Sequence, residues 1–175
     1  GEVPCSQDFT SAGRKQEAGL GAPENTEESL ADMLRKYAEQ YETAGFLQGD
    51  PSWFMHQVDG SANQEAMAFV ASCLSYGSRK QFLPKIQQLL SCSGGEVHDW
   101  ILSRGYACHF KSGDDSCFYR LYSHALMRRF LDAYSRLLSA HGSLGAYVQQ
   151  RATDTRDAID AICTYFSAYR VSPVV

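Results

Sequence analysis

The chain lacks most of the signatures that give a function away. No window comes near the roughly 18 uninterrupted apolar residues of a membrane-spanning helix. The N-terminus has no apolar stretch of the kind that directs secretion, and it has no initiator Met, so Gly1 is expected to be a scar of processing or cloning. There is no P-loop, no dinucleotide glycine pattern, no H-E-x-x-H and no G-x-S-x-G. No segment repeats at a fixed period. Six cysteines are present (Cys5, Cys73, Cys92, Cys108, Cys117 and Cys163), yet no pair has C-x-x-C spacing. The adjacent Cys108 and His109 fit none of the usual zinc spacings, so no metal or cofactor is expected from Cys108, His109 and Cys117. Cys73 and Cys163 read as buried small hydrophobes. Without a secretory leader, a reducing cytoplasmic setting is expected.

Positive charge is also scarce overall. The formal net charge is −4, with 16 Lys and Arg against 20 Asp and Glu. The imbalance is local. Residues 1–48 carry nine acids and four bases, so the remainder is +1. A mildly basic body behind an acidic front neither requires nor excludes a polyanion partner.

What is present is helical periodicity. At 175 residues one domain is expected, with a hydrophobic fraction of 44% that is ordinary for a globular chain. Residues 1–24 have no apolar period and read as a flexible tail ahead of an all-helical domain over 25–175. Asn25 with Glu28 reads as a capping box, followed by the stripe Leu30, Met33, Leu34, Tyr37 and Tyr41, ended by Gly45. Asp50-Pro51 starts a short apolar helix through Trp53, Phe54 and Met55. Ser61 with Gln64 reads as a second capping box, opening a central helix over about Ala62–Tyr76.

After Gly77-Ser78 a helix is expected to about Leu90, with Pro84 bending it or delaying its start to about residue 83. Val97, Trp100 and Ile101 lie on a short helix ending at Gly105. Ser123 caps a long helix to His141, whose stripe is Leu126, Met127, Phe130, Leu131, Tyr134, Leu137 and Leu138, with Gly142 as its stop. Ser143 caps a short helix, and Asp154 opens the last one, with Ala158, Ile159, Ile162, Cys163 and Phe166 inward. No strand is convincing; Tyr106–Phe110 is the best candidate. The fold class is therefore all-α, one globular domain of about seven or eight helices.

Four segments carry a family resemblance: "GDPSWFMHQ" (Gly49–Gln57), "NQEAMAFVASCLSYGSRKQFLPKI" (Asn63–Ile86), "CFYRLY" (Cys117–Tyr122) and "HGSLGAYV" (His141–Val148). In this order they resemble the bacterial domain-of-unknown-function 2400 family, common in Bacteroides relatives, over roughly residues 27–175. Ser78 stands where Asn is usual and His141 where Tyr is usual. Members continue with Cys-Lys-Arg-Leu, Trp-Met-Arg and Leu-Asp-Thr-His segments that this chain does not contain. The chain is thus expected to be an N-terminal part, lacking its C-terminal portion. The Asp-Thr-His segment makes the family similar to helix-hairpin-helix DNA glycosylases. These are all-α, bind DNA through a hairpin, and cleave the base–sugar bond with an Asp, sometimes with a Lys nucleophile. The resemblance implies an incomplete fold of that kind, with DNA as partner and no catalytic residue in this chain.

The candidate contacts are Ser78, Arg79 and Lys80 at a helix start, and Arg128 and Arg129 on the long helix. Backbone N–H groups at a helix N-terminus favour an anion, and Arg adds a forked donor. The plainer alternative makes Ser78 a cap, Gly77 a turn, and Arg79 solvated or paired with Glu65. Glu65 itself suits the N-terminal turn of its own helix, or else partners Arg79 or Arg120. Arg120 reads as a structural Arg among aromatics, a surface Arg or a ligand contact. Two functions stay open: a nucleic-acid-associated, glycosylase-like repair protein, and a non-catalytic helical interaction or structural module, with self-association as a further partner expectation.

Overall fold

The computed structural model describes residues 29–41, 49–172 and 174–175. The expected tail over 1–24, the Asn25 cap and Gly45 lie outside the described residues. Helix α1 spans Leu30–Tyr41, as its apolar spacing predicts, and Leu30, Leu34, Tyr37 and Tyr41 on its stripe are exposed.

From residue 49 the chain forms one all-α unit. A 3₁₀ helix, η1 (Pro51–Gln57), leads into α2 (Ser61–Leu74), α3 (Arg79–Ser93) and α4 (Val97–Leu102). A second 3₁₀ turn, η2 (Gly105–Cys108), precedes a two-stranded antiparallel ribbon, β1 (Cys117–Tyr119) and β2 (Tyr122–Ser123). Then come α5 (His124–His141), α6 (Leu144–Gln149) and α7 (Thr155–Ser167). Among the described residues, no helix is long and apolar enough to cross a membrane.

Helix α5 is the spine. Ser123 caps it by accepting from the Leu126 N–H, and Gly142 closes it at φ 80°. All seven residues of its expected stripe are buried. The buried residues of α2, Ala66, Met67, Val70, Ala71 and Leu74, belong to the same core. Phe69 of α2 meets Tyr134 edge-on at 4.9 Å between ring centroids and Phe166 of α7 at 5.4 Å. Edge-on and tilted pairs of this kind add to the area they bury.

Four expectations need correction. The Ser61–Gln64 capping box does not form: Gly60, at φ 83°, is the cap residue and offers no side chain. Helix α3 begins at Arg79 and continues past the exposed Pro84 to Ser93, so its start is not delayed to residue 83; the proline costs the helix one backbone bond. Tyr106–Phe110 is no strand; η2 occupies it, and the ribbon lies later. On α7, Phe166 is buried and Ala158 and Ile162 are half-buried as expected, but two other members of the expected face are not. Ile159 and Cys163 are exposed, whereas Tyr165 is half-buried, because its ring buries more area than a Cys does.

Candidate nucleic-acid interface

The joint between α2 and α3 is made by Ser75, Tyr76, Gly77 and Ser78. Gly77 sits at φ 92°, in the region that favours glycine. Ser78 occupies the cap position of α3, yet its hydroxyl makes no capping bond. Its carbonyl accepts from the N–H groups of Gln81 and Phe82. Arg79 and Lys80 follow in the first turn, both exposed.

The ribbon clamps this joint. Tyr119 donates its hydroxyl to the Tyr76 carbonyl, and Tyr122 donates to the Cys73 carbonyl at 3.4 Å. Cys73 lies in the last turn of α2, where carbonyls lose their intrahelical partners, and Tyr76 lies just beyond the helix end. Between the two tyrosines the ribbon turns through Arg120 and Leu121. Arg120 takes φ 51°, uncommon for a residue with a side chain. Its guanidinium carbon lies 5.1 Å from the centre of the Tyr76 ring. A Cβ on Gly77 would come within 2.5 Å of Arg120 Nη1. Glycine at 77 is therefore needed twice, for its φ and for the room it leaves to Arg120. Arg120 is exposed rather than buried, and Tyr76 and Leu121 are 54% and 67% exposed beside it.

Asp50 joins the same locale from η1. Its carboxylate caps that helix by accepting from the Ser52 N–H at 2.9 Å and hydroxyl at 2.7 Å, and its second oxygen lies 3.7 Å from Arg79. The Ser52 backbone N–H, then its hydroxyl, and lastly Arg79 hold the Asp50 carboxyl below its ordinary range. Arg79 thus faces Asp50, not Glu65.

Glu65 does a different job from those expected. Its two carboxylate oxygens accept from the N–H groups of Leu144 at 2.7 Å and Gly145 at 3.0 Å. It serves a helix N-terminus, as its position in sequence suggested, but the helix is α6 rather than its own. A Cβ on Gly145 would stand 3.0 Å from the Glu65 oxygen, so the glycine lets the carboxylate approach.

Arg128 is engaged within the fold. Its Nε donates to Asp132 at 3.1 Å, its Nη1 donates to the Phe110 carbonyl at 3.2 Å, and it lies over the Tyr106 ring. Asp132 also accepts from Tyr106 at 2.7 Å and Arg104 at 2.9 Å. This node ties η2 and the following loop to α5. Arg129 is exposed on the same helix. The structure therefore gathers Ser78, Arg79, Lys80 and Arg120 at one joint and holds Arg128 in a scaffold.

Tyr76 and Leu121, not among the expected contacts, stand beside Arg120 at this joint. The Tyr-Arg-Leu-Tyr string was the available signal, since its two tyrosines bracket the turn.

Two other groupings do not form sites. Ser116 Oγ stands between Asp114 at 2.5 Å and His124 at 3.1 Å, but a relay needs the imidazole in the middle, so this is a loop tie. Cys108 donates to the Gly105 carbonyl and Cys117 to the Arg120 carbonyl. Among the described residues no three His, Cys, Asp or Glu side chains gather as a metal site.

The family model described as "Protein of unknown function (DUF2400)" matches residues 50–173. No curated protein and no solved structure matches the chain.

Proposed function

The chain belongs to the DUF2400 family of proteins of unknown function, and from that premise we propose that it is nucleic-acid-associated, with its contact surface at the joint of α2, α3 and the ribbon. One observation carries this reading. The Arg120 guanidinium is held over the exposed Tyr76 ring at 5.1 Å, and the exposed Arg79 and Lys80 follow Tyr76 after Gly77 and Ser78. Cations interleaved with an accessible aromatic are what a phosphodiester chain and its bases require. Arg79 contributes less than its charge, because Asp50 shares it. Lys80 and Arg120 are the main phosphate contacts. Arg129 is at most peripheral, and Arg128 takes no part. A glycosylase-like repair role rests on the family resemblance, and no catalytic group is assigned.

The test is salt-dependent binding of the chain to single-stranded, duplex and mismatched DNA. Contacts to two or three phosphates give a log–log salt slope of about −1.5 to −3. Lys80→Glu is expected to abolish most of the affinity without unfolding the chain. Absence of binding to every form at low salt would sink the reading. It would leave the non-catalytic interaction module, which the exposed Leu121 favours, as the surviving alternative.

A further inference from the structure

Two adjoining hollows open beside the ribbon tip. One, of about 550 Å³, is lined by Tyr76, Gln81, Arg120 and Leu121. The other, of about 400 Å³, runs inward past Cys73 and Val174 and shares Tyr76 and Leu121 as walls. The mouth of the pair is thus an aromatic ring, a leucine and a guanidinium. Arg120 holds a sparsely populated backbone conformation to stand there, and such conformations persist where surrounding structure fixes them, often at functional positions. Here the surrounding structure is the two tyrosine hydroxyls that pin the ribbon to α2.

Resting on the nucleic-acid reading above, we infer that this cleft takes an unpaired nucleotide, so that the chain prefers single-stranded nucleic acid to duplex. The Tyr76 ring and the guanidinium plane each present a flat surface to an unstacked base. In a duplex those base faces are already covered by neighbouring pairs. The methylene and methyl surface of Leu121 closes the opposite side of the cleft. Arg120 is a forked donor to the adjoining phosphate. Ring faces and methyl groups do not read base edges, so discrimination among bases is small.

The experiment titrates the 175-residue chain into a labelled oligothymidylate of about 12 nucleotides and into the same strand annealed to its complement, at about 50 mM salt. The single strand is expected to bind about tenfold tighter. Tyr76→Ala is expected to weaken single-strand binding about tenfold and duplex binding much less, while Tyr76→Phe, which keeps the ring, stays near the parent. The Tyr76 carbonyl that anchors Tyr119 survives both changes, and Leu121→Ala, at the exposed tip, gives an independent loss of about threefold. Equal affinity for the two forms, or full single-strand affinity in Tyr76→Ala, would overturn the inference and leave nucleic-acid association standing. Binding to neither form overturns both.

Discussion

At the residue scale, the joint depends on what Gly77 does not have. An Ala there meets two costs. The φ of 92° is strained for any residue with a Cβ, and the added carbon would lie 2.5 Å from Arg120 Nη1. The second contact is with the end of a long side chain, so Arg120 yields and leaves the Tyr76 ring. Gly77→Ala is expected to destabilise the chain by about 1–2 kcal/mol, chiefly through the backbone. Adding Arg120→Ala removes the crowding but not the strain, so only part of the loss is recovered. Urea unfolding of the two single variants and the double variant measures this; strict additivity of the two changes would show that the side chain and the glycine are not coupled. In the other direction, Arg120→Ala alone removes the cation over the ring, worth about 0.5–1 kcal/mol at an exposed site. The glycine is therefore the larger determinant of stability at this joint.

At the scale of elements, Glu65 links two helices that are far apart in sequence. Its carboxylate accepts from the first two N–H groups of α6, beside the Ser143 cap that accepts from the third; the helix has six residues and is too short to stand alone. Glu65→Ala leaves the Leu144 and Gly145 N–H groups half-buried without their partner, at an expected cost of about 2–4 kcal/mol. Hydrogen exchange is expected to show α6 opening well before α5; equal protection in parent and variant would contradict the tie. How much of this the sequence showed follows from the range of each interaction. The α5 stripe was legible because periodicity and both caps are local, and Asp50, Ser143 and Asp154 act as caps for the same reason. The ribbon was not legible: strands of three and two residues carry no alternation, and contacts to α2 hold them. Ser78, Arg79 and Lys80 were visible as a cationic helix start. Their meeting with Arg120 was not, since Tyr119 reaches Tyr76 across 43 residues. The anchoring of Arg128 was not legible, because Asp132, four residues on, also gathers Tyr106 and Arg104 only once η2 is in place.

At the scale of the whole molecule, the Asp132 node and its counterparts set how stability varies with pH. Burial pushes Asp132 up, but the Tyr106 hydroxyl and the guanidinium groups of Arg128 and Arg104 outweigh it, leaving its carboxyl below the ordinary 3.8. Hydrogen bonds from Ser52, Ser116 and Thr153 lower Asp50, Asp114 and Asp157 in the same way. A folded-state value below the unfolded one gives stability that is full above the unfolded value and disappears as pH falls through the folded one. The acid limb therefore begins near pH 4 and steepens below it. On the alkaline side, burial pushes the Cys73 thiol from 9.0 and the Tyr106 phenol from 10.0 up to about 12 in each case. A raised value gives stability that is full below the unfolded one and is lost as pH rises through the folded one, so decline starts near pH 9. Urea midpoints are expected to be level between about pH 5 and pH 8.5 and to fall on either side. Asp132→Asn should lower the plateau, because Arg128 and Arg104 lose their anion, and should also make the acid limb shallower, because the carboxylate that sets part of it is gone. An acid limb of unchanged slope in Asp132→Asn would mean that the node contributes packing but no charge energy, and that the fixing of η2 to α5 rests on the Tyr106 ring alone.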